Sequence, residues 1–82
     1  MGVLKDYLHA AMRRARYEIL TDDGTFYGEI PELQGVLANT ETLEACREDL
    51  AEALEEWIII GLLLGHRIPE LDGIDLNIAV PT

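Results

Sequence analysis

The chain has 82 residues, 49% of them apolar but only 6% aromatic, enough for one small domain with a thin core and too apolar for a disordered chain of this charge. Six Lys and Arg against sixteen Asp and Glu set the net charge at −10, a field that repels phosphate backbones and anionic membranes and attracts basic partners. The longest apolar run, Trp57 to Gly65, falls far short of the about 20 residues a bilayer requires, and Lys5 and Asp6 precede any run that could serve as a signal segment, so a soluble, cytoplasmic protein is expected.

The charge is unevenly placed. Lys5, Arg13, Arg14 and Arg16 against Asp6 leave residues 1–17 at +3, while Arg47 and Arg67 against fifteen acids leave residues 18–82 at −13. Val3, Leu4, Tyr7, Leu8 and Ala11, with Met12 at the margin, recur at the spacing of an amphipathic helix over residues 3–14. Its opposite face carries Lys5, His9, Arg13 and, with one more turn, Arg16. That basic stripe suits the acidic body of its own chain or, in a different role, a phosphate. Residues 1–15 are thus an N-terminal helix ahead of a single domain over residues 16–82.

Two short runs follow, Arg16 to Asp22 and Thr25 to Ile30, joined by Asp23-Gly24, a dipeptide suited to a tight two-residue hairpin turn. In the second run Phe26, Gly28 and Ile30 alternate with Tyr27 and Glu29, so one face can be buried. Pro31 ends this strand, because it has no amide to donate to a ladder. Val36 to Asn39 reads as a third strand, completing an antiparallel meander.

Thr42 stands where a helix N-cap is needed, and Glu44 favours the positive end of the helix dipole. In the long helix that follows, Leu43, Cys46, Leu50, Leu54, Trp57, Gly61 and Leu64 fall in one stripe that should cover the sheet, flanked by Ala53 and Ile58. Gly65 is the expected stop, and Pro69 prevents continuation. From Trp57 onward the helix is apolar all round. Ile59 and Leu63 lie opposite the core stripe and Ile60 beside it, so a second surface must cover them: the N-terminal helix or an identical face of another copy. Trp57, Ile59, Ile60 and Leu63 are therefore the candidate self-association residues of a homo-oligomer, a dimer or tetramer. Leu76, Ile78 and Val80 alternate with polar or small residues, the pattern of a final strand.

Catalytic patterns are sparse. The chain has no Ser, no Gly-rich phosphate loop, and no Asp, Cys or second His at metal-ligand spacing from His9 or His66. Cys46, the only cysteine, falls on the core stripe, and Asp22-Asp23 is a turn dipeptide. Neither a catalytic, metal nor cofactor site is assigned, and a non-enzyme is expected. The informative surface is Glu48, Asp49, Glu52, Glu55 and Glu56, an acidic helix face that could complement a basic protein and speed encounter with it.

The stretch Tyr27 to Gly35, YGEIPELQG, then Thr42 to Leu50, TLEACREDL, and the exit element Gly65 to Pro69, GHRIP, resembles the HicB-like antitoxin family over roughly residues 16–73. The resemblance implies an α+β fold: a truncated ribonuclease-H-like β-β-β-α-β unit, its antiparallel sheet covered by one long helix, here with an extra N-terminal helix. It also implies a type II toxin-antitoxin role, in which the protein binds and neutralises a small basic ribonuclease toxin of the HicA type. Many members carry a further DNA-binding domain. Because this sequence reaches Thr82 directly after the predicted last strand, a short form without that domain is expected. The alternative is a stand-alone oligomeric regulator that binds nucleic acid through Lys5, Arg13, Arg14 and Arg16.

Overall fold

A computed structural model describes residues 2–76 of the chain. Helix α1 (Val3–Arg13) leads into strands β1 (Arg16–Ile19), β2 (Phe26–Glu29) and β3 (Leu37–Thr40), followed by helix α2 (Leu43–Leu63). The strands form an antiparallel sheet in the order β1-β2-β3, giving a small α+β fold with the expected meander. Asn77 to Thr82, which carry most of the predicted final strand, lie outside the described residues.

Register places Tyr17, Gly28 and Ala38 side by side, with Ile19, Phe26 and Thr40 in the next row of the same face. Helix α2 packs chiefly over β2 and β3, and α1 lies along the flank of α2. Gly28 is small for a reason the strand pattern does not reveal. A Cβ there would stand 2.9 Å from Tyr17 Cδ1 and 3.0 Å from Cys46 Sγ, so its absence lets α2 approach the sheet.

The ends of α2 follow local chemistry. Thr42 Oγ1 accepts a 3.1 Å hydrogen bond from the Ala45 amide. At the other end Gly65 adopts φ +76°, the His66 amide donates to the Gly61 carbonyl at 2.8 Å, and the Gly65 amide donates to Leu62 at 3.2 Å. This pair of bonds is a Schellman cap, and it turns the chain back along the helix.

The α2 stripe differs from expectation at both ends: Leu43 and Leu64 are exposed, while Ile58 is buried. The cause is length. A helix of 21 residues runs about 31 Å at 1.5 Å per residue, whereas each four-residue strand offers only about 13 Å of sheet. The C-terminal half of α2 is covered instead by Ile68 and Leu71 of the returning segment, by Leu33 and Val36, and by α1. Leu33, read from sequence as part of a plain connection, is fully buried, because the Leu33 amide donates to Ile30 and the Val36 amide to Leu33 in a turn that folds inward. In α1 the first turn overhangs the body, so Val3 and Leu4 are exposed while Tyr7, Ala10 and Ala11 are buried.

The expected two-residue turn at Asp23-Gly24 is a wider loop. The strands pair only to Ile19 and Phe26, Leu20 and Thr25 close the ladder with a 2.8 Å bond, and the Gly24 amide donates to the Leu20 carbonyl at 2.8 Å. Asp23 is occupied locally, accepting from the Thr25 amide at 3.0 Å and the Thr25 hydroxyl at 2.7 Å. A two-residue turn does occur, at Asp72-Gly73. Both residues have positive φ, 51° and 77°, and Leu71 and Ile74 exchange backbone hydrogen bonds across it.

Candidate interaction surfaces

The acidic face predicted on α2 is present. Glu48, Asp49, Glu52, Glu55 and Glu56 are all exposed on the first two-thirds of the helix. None of them forms an ion pair among the described residues. Their carboxylates are therefore available to an external cation, and they repel one another until one arrives.

The basic residues of the N-terminal region are divided between two fates. Arg14 donates from Nη1 to Glu32 Oε2 at 3.1 Å and from Nη2 to Asp72 Oδ1, and Arg13 Nη2 reaches Asp72 Oδ2 at 3.3 Å. The hydrogen bond from Arg14 holds the Asp72 carboxyl below the usual carboxylate range, and the same pairing raises Arg14. Two of the four candidate nucleic-acid contacts thus face their own acidic body. Lys5 and Arg16 are exposed, without an ion pair among the described residues. Sequence reading missed this four-residue clip, although the Asp72-Gly73 dipeptide was a legible signal for the turn that presents Asp72.

The four candidate self-association residues do not share one patch. Ile59 and Leu63 point away from the body, 54% and 81% exposed, and Ile59 borders a groove of about 210 Å³ formed with Leu4, Leu8, Glu55 and Ile58. Trp57 and Ile60 lie on the other flank. There Trp57 is half-buried against the core beside Gly35, and with Ile60, Gly61, His66, Arg67 and Ile68 it lines a cleft of about 260 Å³. The end of α2 therefore presents apolar side chains on two flanks and outward, with Leu62 and Leu64 also exposed.

Cys46 is fully buried, its Sγ 3.7 Å from the carbonyl oxygens of Phe26 and Ala38, and burial pushes its thiol up, away from the reactive thiolate form. Among the described residues no three His, Cys, Asp or Glu side chains come together as metal ligands. No described helix is long and apolar enough to cross a membrane.

A family model described as UPF0150-like matches residues 6–69. The crystal structure of TTHA0281 from Thermus thermophilus is similar to this chain at 41% sequence identity and TM-score 0.88, covering 100% of this chain and 99% of that one. No curated protein matches.

Proposed function

The chain belongs to the UPF0150-like family, a small family related to HicB, and on that premise we propose that it is a HicB-like antitoxin, a non-catalytic protein that captures a small basic ribonuclease of the HicA type. The observation that carries this reading is the acidic face of α2, from Glu48 to Glu56, which forms no ion pair among the described residues, on a chain whose own arginines Arg13 and Arg14 are committed elsewhere. Such a face steers a cationic protein toward it and occludes the surface that would otherwise hold RNA. The protein acts as a homo-oligomer, the exposed apolar end of α2 supplying the contact between copies. Nucleic-acid binding through the N-terminal helix has less support, since the Asp72 and Glu32 pairs leave only Lys5 and Arg16 of its four bases without an ion pair among the described residues.

The test starts with the tagged full chain in its native lysate at moderate salt, with mass spectrometry of whatever co-elutes. Each small basic protein recovered is then expressed alone and together with this chain. An antitoxin relieves growth arrest, and replacing Glu48, Asp49 and Glu52 with Lys abolishes the relief while the native mass stays unchanged. Relief indifferent to those charges, or recovery of the chain bound only to itself, overturns the reading.

A further inference from the structure

Two cavities open along the seam between α1 and α2. Leu4 and Leu8 border one of about 210 Å³ together with Glu55 and Ile59, and Met12 borders one of about 390 Å³ together with Glu44, Arg47 and Glu48. The two helices therefore run antiparallel, and the seam has one apolar wall and one largely acidic wall. Leu4, Leu8 and Met12 recur every four residues along α1, while Glu44, Glu48, Glu55 and Ile59 recur every four or seven along α2, so each set keeps to one face of its helix. Leu4 and Ile59 are about half-exposed, and Glu44, Glu48 and Glu55 are exposed and form no ion pair among the described residues. Arg47, the one base on these walls, adjoins the Tyr17 phenol.

Resting on the basic partner of the proposed function, the geometry points to the part of that partner this seam receives: an amphipathic helix, its apolar side against Leu4, Leu8 and Met12 and its lysines or arginines on Glu44, Glu48 and Glu55. The length suits a helix laid in a groove, since Glu44 to Ile59 runs about 22 Å at 1.5 Å per residue, or about four turns. Charge selects the occupant. An acidic wall repels a phosphate backbone or an anionic bilayer, and a second copy of the chain brings the same net charge of −10. The seam also divides the acidic face in two. Asp49 and Glu56 each follow a seam residue by one position, which turns them about 100° further round the helix, and they border neither cavity. They attract the partner, whereas Glu48 and Glu55 hold it.

The probes are two peptides of about four helical turns and identical Leu and Lys content, one with Leu at helical spacing and one with Leu at every second position. Isothermal titration calorimetry on the full chain at physiological salt should show the helical peptide binding about tenfold or more tightly than the alternating one, and circular dichroism should show helix gained on binding. Leu4→Ser, at a side chain outside the core, weakens the helical peptide about fivefold and leaves the alternating one unchanged. Glu48→Lys with Glu55→Lys weakens it about tenfold or more, whereas Asp49→Lys with Glu56→Lys, an equal change of net charge, costs less than about threefold. Circular dichroism of each variant alone confirms that it is folded. Two peptides that bind alike, or two charge pairs that weaken binding alike, overturn the seam and leave the acidic face of the proposed function standing. A Leu4→Ser chain whose own native mass falls in sedimentation equilibrium assigns the groove to a second copy and overturns it as well. Failure of the antitoxin reading shows separately, in the growth arrest of the co-expression test, which involves no peptide.

Discussion

The Tyr7 hydroxyl donates a 2.5 Å hydrogen bond to the Pro69 carbonyl, tying α1 to the segment that returns along α2. The ring is fully buried, and this part-buried bond joins it to an exposed residue 62 positions away. Together with the Arg14 clip a few residues on, it explains why α1 belongs to the body and is not a loose arm.

Removing that hydroxyl isolates the bond from the ring. Tyr7→Phe should lower stability by about 1 kcal/mol, the ordinary net value of a hydrogen bond whose partner loses its donor. Burial pushes the Tyr7 phenol up to about 12, partly offset by Arg14. The folded state therefore favours the neutral phenol. Its contribution is complete below about pH 10, where an unfolded tyrosine titrates, and is lost as pH climbs from there through about 12. Urea midpoints measured between pH 9 and 12 should fall less steeply for Tyr7→Phe than for the wild type, and parallel curves would contradict the burial.

Two glycines test close packing with opposite side conditions. Gly28→Ala should cost roughly 1–3 kcal/mol, because its Cβ meets Tyr17 at 2.9 Å and Cys46 at 3.0 Å between a sheet and a helix. Gly61→Ala should cost less. Its Cβ would meet the movable end of Ile68, also at 2.9 Å, and otherwise His66 Cβ at an ordinary 4.0 Å, and alanine recovers about 1 kcal/mol of helix propensity. Thermal denaturation of the two variants decides the order.

Asp72→Asn separates charge from backbone shape, since Asn also tolerates the left-handed conformation, φ 51°, that this turn position requires. A small loss of stability is expected, fading as salt screens the pairs with Arg13 and Arg14. Because Arg14 lowers the Asp72 carboxyl, the wild-type advantage is present above the ordinary carboxylate range and disappears as pH falls through the depressed value. Denaturant midpoints of the two proteins, compared in steps downward from pH 7, should therefore draw together toward the acid end.

Ile59→Asp with Leu63→Asp places two charges on the outward face of α2, where neither side chain belongs to the core. The fold should persist and the native mass should drop to that of a monomer. Light scattering on the eluting protein reads this directly, and an unchanged mass would move the contact to the Trp57 and Ile60 flank.

Much of the fold was legible because its causes are local. The period of α1 and α2, the Thr42 hydroxyl over the first turn, Gly65 at the stop and the three-strand meander depend on residues a few positions apart, and the structure shows each of them. The acidic face of α2 was legible for the same reason, since helical spacing alone gathers Glu48, Glu52, Glu55 and Glu56. What periodicity could not supply was the reach of the elements. The mismatch between a 21-residue helix and four-residue strands leaves Leu43 and Leu64 exposed, and a turn that folds inward carries Leu33 into the core. Likewise, only the return of the chain after Gly65 brings Asp72 to Arg14 and Pro69 to Tyr7, and divides the apolar end of α2 into an outward face and a cleft. Helical and strand patterns come from short-range backbone geometry, whereas burial and charge pairing depend on which distant segments share a volume, and that is settled only when the whole chain closes on itself.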